Sequence, residues 1–339
     1  MELNRMCRRW MTVWALVAGA CIGAGAAAAQ TPSSDSLRTA LASDDWNERH
    51  WALQRINRIP GALPPELVTP VVDLLNREAA LRPRPGGEGY GEYVMELVIA
   101  AARTDDDRAV RGVIALGGIG VSGAVGQFIA RRGPAVFPIL DSLAQAGWNA
   151  RADVIQTYAM MLGRHGDALS RSDSAHVLGI LLEAAGAADP TARLQFAFDT
   201  PRIPLPEAVP LLRDLASSDT VVGSRGNYPV RRSAQRALTT LEPAWGAEPP
   251  ATMLERTTVA LEGVCAGARG ELLGQCEAMA AFLATAQRQW GGPSSQPVLD
   301  ALRNFRQRVE LLETQHLLSH AQAVFLGGNA TALIGRLQT

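Results

Sequence analysis

A glycine-rich segment in the middle of the chain has the spacing of a dinucleotide-binding loop. Gly118, Gly120 and Gly123 match G-x-G-x-x-G, an apolar run at 113–116 precedes them, and Asp141 follows. In a strand–turn–helix unit such glycines let the backbone approach a pyrophosphate, and the later acidic residue binds the ribose. The flanking sequence shows no alternation of strand and helix patterns. We therefore expect a tight turn between packed helices, and we keep an enzyme with a dinucleotide site at Gly118–Gly123 as an alternative.

Two further patterns resemble parts of hydrolytic sites. Ser122 lies in an incomplete nucleophile elbow, because Ala124 stands where a glycine is required. His316 and His320 are four residues apart on a predicted helix, and Glu313 shares their face, as ligands of a metal would. We expect a solvated helix face there. The sequence predicts no catalytic residue, no cofactor and no metal site, and a cryptic hydrolase site is part of the enzyme alternative.

The chain contains no lysine, and all 32 basic residues are arginine. Phosphate-binding loops, protein kinases and Ser-x-x-Lys hydrolases each need a lysine at a defined place. Pyridoxal enzymes need one for the Schiff base. The composition therefore excludes all of these classes of enzyme.

Four arginines form a local basic patch: Arg225, Arg231, Arg232 and Arg236. Guanidinium groups at this density could bind an acidic partner or a phosphate, although such runs are often solvated helix faces. The whole chain has a net charge of −1 and no basic excess, which argues against a general nucleic-acid binder. The patch is therefore a possible partner-binding site on a protein that does not bind nucleic acid.

The N-terminal residues have the order of a secretory signal peptide. Arg5, Arg8 and Arg9 precede an uncharged stretch at 10–20, and a run of small residues ends at Ala29. A basic end, a short apolar stretch and small residues before the cut define such leaders. The stretch is too short for a membrane span. We expect cleavage after Ala29, and a periplasmic or extracellular protein.

A lipid anchor is the alternative interpretation of the leader. The sequence Ala18-Gly19-Ala20-Cys21 resembles a lipoprotein cleavage box, although the usual leucine before the cysteine is missing. Lipidation of Cys21 would make the protein a lipid-anchored envelope assembly factor. A twin-arginine signal at Arg8-Arg9 fits less well, because the residues that follow depart from that motif.

After the leader, the chain keeps one pair of cysteines, Cys265 and Cys276. In an oxidising compartment an even pair predicts a disulfide. On one straight helix the pair would lie roughly 16 Å apart, beyond the reach of a disulfide. Gly267 and Gly270 permit a turn between them. The spacing therefore predicts a helical hairpin closed by a Cys265–Cys276 disulfide.

Repeated patterns organise the chain from about residue 36 to residue 243. Three segments begin with a proline, carry a second proline four or five residues later and continue with apolar residues; they begin at Pro65, Pro134 and Pro206. A second pattern runs from Asp to Arg four residues later and then to Ala. It occurs at 45–52 and 189–197, with weaker copies at 107–110 and 149–154. The Asp suits a helix N-cap, and Pro suits a first helical turn.

These motifs resemble HEAT-repeat proteins. The first helix of a HEAT unit is of the Asp…Arg…Ala kind, and the second carries a Val-Pro-x-Leu core like the one at Val209–Leu212. The resemblance implies an α-solenoid of five or six irregular units, in which neighbouring helix pairs bury each other's apolar faces and present a binding surface. Large aromatics within the array, at positions 46, 51, 148, 158 and 198, are expected to fill gaps between helices.

The C-terminal part reads as a separate set of helices. Prolines at 243, 249 and 250 indicate a break, and four helices are expected at about 251–265, 270–289, 296–313 and 315–338, the last broken at Gly327-Gly328. The spacing of apolar residues from Val298 to Ile334 weakly resembles the FIMAH domain of secreted bacterial proteins, an accessory module.

The expected organisation is a signal peptide at 1–29, a flexible start at 30–35, a HEAT-like helical domain at 36–243, a Pro-rich linker at 244–250 and a C-terminal helical domain at 251–339. The fold class is all-α. The function expected from it is that of an exported, non-catalytic scaffold that binds a protein partner.

Overall fold

The computed structural model describes residues 32–81, 88–104, 106–117, 128–129, 132–145, 148–203, 205–224, 226–266 and 268–338. Within these residues the chain is helical and contains no strand, which confirms the all-α fold class. The signal peptide with Cys21, the glycine motif at Gly118–Gly123 with Ser122, and Arg225 lie outside the described residues.

Fifteen α-helices occur in this part of the chain: α1 Ser34–Ala42, α2 Trp46–Asn57, α3 Pro65–Ala80, α4 Tyr90–Ala102, α5 Arg108–Gly117, α6 Phe137–Gln145, α7 Trp148–His165, α8 Arg171–Gly186, α9 Pro190–Asp199, α10 Val209–Ser218, α11 Pro229–Ala247, α12 Pro250–Cys265, α13 Glu271–Gln289, α14 Gln296–Thr314 and α15 His320–Gln338. Short 3₁₀ turns lie at Gly133–Val136, Gly166–Ala168, Thr200–Arg202 and Pro206–Ala208.

The helix starts follow the local sequence signals. Asp45 and Asp189 cap α2 and α9, and each side chain accepts a hydrogen bond from the backbone N–H two residues on. Pro65 opens α3 directly. The equivalent prolines Pro134 and Pro206 instead lie in 3₁₀ turns that lead into α6 and α10.

The arginine of the Asp–Arg–Ala motif joins one helix pair to the next. The Arg49 Nη1 donates to the carbonyl oxygens of Ser43 and Asp44 at 2.8 and 2.9 Å, and its Nη2 lies 3.2 Å from the buried carboxylate of Glu78. Arg193 repeats the arrangement, with Nη1 on two carbonyls before α9 and Nε 2.7 Å from the buried Asp219. The guanidinium therefore satisfies backbone carbonyls near a helix end and a buried acid together.

Several helices pack against the second helix that follows them in the chain. These pairs are α1 with α3, α2 with α4, α3 with α5, α7 with α9, and α9 with α11. These are the neighbours that stacking of helix pairs requires. The assignment to HEAT repeats remains a resemblance.

The helices after residue 249 pack against helices from the first part of the chain. Helix α12 lies along α8, and α15 lies along α10. Two glycines allow the first of these contacts: a Cβ on Gly179 of α8 would lie 2.8 Å from the carbonyl oxygen of Gly263 on α12, and a Cβ on Gly263 would collide with the carbonyl of Ala175. The two backbones can be this close only where both side chains are absent.

Most of the segment 244–250, expected to be a linker, is helical. Helix α11 continues through Pro243 to Ala247, and only Glu248 and Pro249 separate it from α12. Tertiary contacts hold the last turn of α11, because the Trp245 indole N–H donates to Asn329 at 3.1 Å and Arg336 donates to the Trp245 carbonyl. These contacts outweigh the local preference of proline to end a helix.

The last helix also differs from expectation. It begins at His320 rather than at 315, and it is unbroken at Gly327-Gly328. Gly328 is required for packing, because a Cβ there would collide with the ring of Pro210 on α10. The glycine pair therefore permits close contact between helices and does not end α15.

The expected hairpin between the two cysteines is present. Cys265 ends α12, Cys276 lies in α13, and the two sulfurs are at bonding distance with the Cα atoms 5.9 Å apart. The chain reverses through residues 266–270, where Gly270 has a φ of +56°. In the described part of the chain, no helix combines the length and the apolar character that a membrane crossing requires.

Candidate functional site

The described members of the basic patch, Arg231, Arg232 and Arg236, lie in α11 and have different environments. Arg231 is half-buried: its Nε donates to the Asp219 carbonyl, and its guanidinium stacks on the Tyr228 ring at 4.5 Å. Arg232 and Arg236 are exposed. Arg231 therefore positions its neighbours, and the two other arginines face solvent.

Tyr228 was not identified from the sequence, and it completes this surface. Its side chain is 43 % exposed, and it precedes Arg232 and Arg236 by four and eight residues. Arg232 and Arg236, spaced by four, share one face of α11, and Tyr228 is the N-cap residue of that helix. We call Tyr228, Arg232 and Arg236 the α11 stripe. Its exposure, which is a tertiary feature, distinguishes Tyr228 from the buried or half-buried Tyr90, Tyr93 and Tyr158.

The charged residues next to the α11 stripe in the sequence are all basic. The sequence from 220 to 241 holds four arginines and no acidic residue. The positive end of the helix dipole lies at the same place, where cations are unfavourable. An anionic group bound here would be attracted by both the side chains and the helix.

Two other aromatics that were expected to fill gaps are exposed instead. Phe198 on α9 is 49 % exposed and lies under the Arg202 guanidinium at 4.3 Å, while Trp51 on α2 is 39 % exposed and pairs with Arg55. Tyr158 is buried, as expected. The Trp148 side chain lies outside the described part of the structure.

A pair of buried carboxyl groups lies where the repeat region meets the C-terminal helices. Glu207, in the 3₁₀ turn before α10, is fully buried, and Glu248 lies beside it at the end of α11. Arg256 of α12 approaches both: its Nη1 lies 3.4 Å from Glu207 Oε2 and 3.6 Å from Glu248 Oε1. The other two carboxyl oxygens, Glu207 Oε1 and Glu248 Oε2, are buried without a hydrogen-bond partner.

Burial favours the protonated form of Glu207. It raises the pKa of Glu207 to about 8, the charge of Arg256 opposes that rise, and the neighbouring Glu248 adds to it. Two neighbouring buried carboxyl groups cannot both be ionised at low cost. We call Glu207 and Glu248, which both lie beside Arg256, the carboxyl pair.

The backbone around the carboxyl pair is tied down by α15. The Asn329 side chain is fully buried, and its amide donates to the Glu207 and Phe325 carbonyls at 2.9 and 2.8 Å. Arg336 donates to the Glu248 carbonyl. The pair is therefore held by the 3₁₀ turn, α11, α12 and α15 together.

The expected histidine face on the last helix does not form. His316 has a φ of +57° in the turn after α14, and His320 is the first residue of α15, so they share no helix face. His320 instead bridges two helices, with Nδ1 2.6 Å from Glu313 and Nε2 3.4 Å from Asp214. The hydrogen bond that His320 donates to Glu313 and then the contact with Asp214 raise the pKa of His320. No cluster of metal-binding side chains occurs among the residues that the structure describes.

Asp141, which the dinucleotide alternative uses, lies in a local polar cluster. It accepts a hydrogen bond from the Tyr158 hydroxyl at 2.6 Å, and His176 Nε2 lies 3.2 Å away. Phe137 stacks on the His176 ring at 4.9 Å. The cluster joins α6, α7 and α8.

No protein-family model, no curated protein and no solved structure matches this chain.

Proposed function

We propose that this chain is an exported interaction protein that binds an acidic segment of a protein partner through the α11 stripe. One observation carries the proposal: the exposed Tyr228 at the N-cap of α11 is followed by the exposed Arg232 and Arg236, in a segment without acidic residues.

The chemistry of the stripe favours a partner with carboxylates and an apolar contact. Tyrosine and arginine are the residue types most often responsible for binding energy at interfaces. The Tyr228 ring is held by Arg231 before any partner arrives, so little side-chain entropy is lost on binding. Val222, in the loop before α11, is 56 % exposed and adds apolar surface beside the basic residues.

Export is supported by two features of different kinds. The order of basic, apolar and small residues at 5–29 is typical of a secretory leader. The Cys265–Cys276 pair is at disulfide distance, and such bonds persist in oxidising compartments. Both features favour a protein that acts outside the cytoplasm.

A photo-crosslinking experiment tests the binding surface. We would replace Tyr228 by benzoylphenylalanine in the full chain, irradiate cells that produce the protein, and identify the crosslinked peptide by mass spectrometry. We expect one dominant adduct whose crosslinked segment is rich in Asp and Glu.

Charge reversal supplies the control. Arg232→Glu with Arg236→Glu should reduce the adduct at least about tenfold, since both carboxylate contacts become repulsive. Arg269→Glu with Arg288→Glu changes the net charge equally on exposed residues of the C-terminal region and should leave the adduct intact. An adduct that survives reversal of the stripe, or one that maps to a segment without acidic residues, would refute the proposal.

The export part has its own test. Mass measurement of the protein from the native envelope fraction should show Gln30 as the first residue. A chain that begins at a lipidated Cys21 would show the anchored alternative, and an uncleaved cytoplasmic chain would refute export.

A further inference from the structure

A groove of about 590 Å³ lies between α1 and α2. Six side chains line it, three from each helix: Ser36, Thr39, Ala40, Asn47, Glu48 and Trp51. On each helix the spacing of three and four residues places these side chains on one face. A volume of this size is typical of sites for small ligands. We call it the α1–α2 groove, and it shares no residue with the α11 stripe.

Trp51 supplies the large apolar surface of the α1–α2 groove. Its side chain is 39 % exposed, and the Arg55 guanidinium lies over the ring at 5.8 Å. Cation–π attraction extends to about 6 Å, so this contact is near its limit and leaves ring surface open to a ligand. The ring therefore offers a flat contact, and its indole N–H is a hydrogen-bond donor.

The polar side chains beside Trp51 can both donate and accept hydrogen bonds. Ser36 and Thr39 carry exposed hydroxyls, and the Thr39 hydroxyl donates to a backbone carbonyl at 3.0 Å, which leaves its lone pairs to accept. The Asn47 amide nitrogen donates to Asp45 at 3.0 Å, so its carbonyl oxygen faces no competition from that bond. Hydroxyl groups of a ligand, which donate and accept in turn, match this mixed set.

The charges at the groove favour a neutral ligand. Among the six lining side chains, Glu48 is the charged one, and it is exposed. A ligand carboxylate or phosphate would be repelled by Glu48. A cationic ligand on the Trp51 ring would be repelled by the Arg55 guanidinium, which already lies there.

We propose that the α1–α2 groove binds a neutral saccharide, with one sugar ring stacked on Trp51. A pyranose whose hydroxyls are equatorial presents C–H groups on its two faces, and their positive hydrogens suit the negative face of an aromatic ring. The hydroxyls at the rim of the sugar then exchange hydrogen bonds with Ser36, Thr39 and Glu48. Glycoside hydrolysis ordinarily uses a pair of carboxyl groups, and the lining holds one, so the site binds the sugar and does not cleave it.

An NMR titration of the full mature chain with cellotriose tests the proposal. Cellotriose is a neutral trisaccharide of glucose units with equatorial hydroxyls. The indole N–H signal of Trp51, assigned by its absence from Trp51→Phe, should shift saturably with a Kd below about 10 mM. A Trp51 signal that stays unchanged at about 50 mM cellotriose would overturn the proposal.

A second exposed aromatic provides a matched control. Trp51→Ala should weaken cellotriose binding at least about tenfold, measured by saturation transfer to the sugar, because the stacking surface is lost. Phe198 is 49 % exposed and also lies under an arginine, so Phe198→Ala removes a comparable aromatic elsewhere and should bind cellotriose unchanged. Equal binding by the two variants would place the saccharide outside the groove.

A variant on α1 separates loss of the groove from loss of the Trp51 packing. Ser36 is exposed, so Ser36→Arg should fold, leave Trp51 in place and extend a long side chain into the groove opposite Glu48. We expect at least about a fivefold loss of cellotriose affinity, with an unchanged urea midpoint. Undiminished binding by Ser36→Arg would contradict the assignment.

Charged sugars test the preference for a neutral ligand. The β-1,4-linked trimers of glucuronic acid and of glucosamine carry carboxylates and ammonium groups, and cellotriose should bind at least about threefold more tightly than either. Glu48→Gln should strengthen binding of the glucuronic acid trimer and change that of cellotriose less than about threefold, since the amide oxygen still accepts. Tighter binding of either charged trimer to the wild type would refute the neutral assignment.

Discussion

The carboxyl pair at the junction makes a quantitative prediction about stability and pH. Glu207→Gln replaces a carboxyl that is protonated in the folded protein by an amide of the same shape. The amide N–H₂ can donate a hydrogen bond at every pH, whereas the proton on Glu207 of the wild type leaves as the pH rises. The variant should therefore lose a pH dependence that the wild type has.

The sign follows from proton binding. The pKa of Glu207 is raised from 4.5 to about 8 by folding, so between these values the folded state binds more protons than the unfolded state. The free energy of unfolding then falls as the pH rises through this window. A shift of this size corresponds to about 5 kcal/mol as an upper bound, at 1.36 kcal/mol per unit. Relaxation around the ionised pair reduces it, and we expect on the order of 3 kcal/mol.

Urea unfolding followed by circular dichroism at several pH values between about 5 and 9 measures this effect. The free energy of unfolding of Glu207→Gln, minus that of the wild type, should rise with pH and then level off above the pKa of Glu207. Taking this difference removes the contributions of titrating groups that do not interact with Glu207. Above that pKa the variant should be the more stable protein.

An exposed carboxyl on α13 provides the control. Glu277→Gln removes a charge far from the junction, and its difference from the wild type should change by less than about 0.5 kcal/mol over the same range. If the difference for Glu207→Gln were also constant with pH, folding would not raise the pKa of Glu207 and the reasoning would be wrong.

Three further predictions concern the contacts between helices. Gly263→Ala should lower the free energy of unfolding by about 1–3 kcal/mol in urea titrations, because its Cβ meets the α8 backbone. As a control, Gly274→Ala lies in open space and should raise the free energy of unfolding by a few tenths of a kcal/mol or more. His320 has a raised pKa, so its contribution should be fully present below pH 6.5 and be lost as the pH rises through its folded-state pKa. His320→Asn should therefore destabilise only at low pH, by less than about 1 kcal/mol because the ring is exposed, and an equal loss at pH 9 would contradict this. Replacing Cys265 and Cys276 by Ser should cost roughly 2–3 kcal/mol for a closed loop of this length, and an unchanged urea midpoint would show that the disulfide adds nothing.

Several elements could be predicted from the sequence because their causes are local. The Asp45 and Asp189 caps need only a side-chain oxygen two residues before a free N–H, and both occur where expected. The cysteine hairpin follows from chain geometry, since two residues eleven apart cannot bond along one helix. The all-α class follows from composition and from apolar spacing.

Other expectations failed because distant residues decide them. Pro243 and the Gly327-Gly328 pair are local signals for a break, yet α11 and α15 continue through them. The indole and carbonyl of Trp245 are held by α15, and Gly328 lies against Pro210. Partners far along the chain therefore outweighed the local preference at both places.

The candidate sites also show this difference between local features and features that depend on distant residues. The arginines of the α11 stripe are visible in the sequence as a cluster of charge, but the division between the inward Arg231 and the outward Arg232 and Arg236 is not. The carboxyl pair could not be found from the sequence, because it brings together a 3₁₀ turn, the end of α11 and Arg256, which lies 49 positions from Glu207.

Glu66 and Glu207 show the difference between what the sequence determines and what only the tertiary structure decides. Each follows the proline that opens a repeated segment, so the sequence alone determines that both begin a helical unit and places them at equivalent positions. Glu66 stays in water, where backbone and Ser34 hydrogen bonds lower its pKa. Glu207 is covered by α12 and α15, and burial raises its pKa. The largest cause at Glu66 is a hydrogen bond with its own backbone, which follows from its place in a first helical turn, whereas the loss of water around Glu207 depends on which distant helices pack over it.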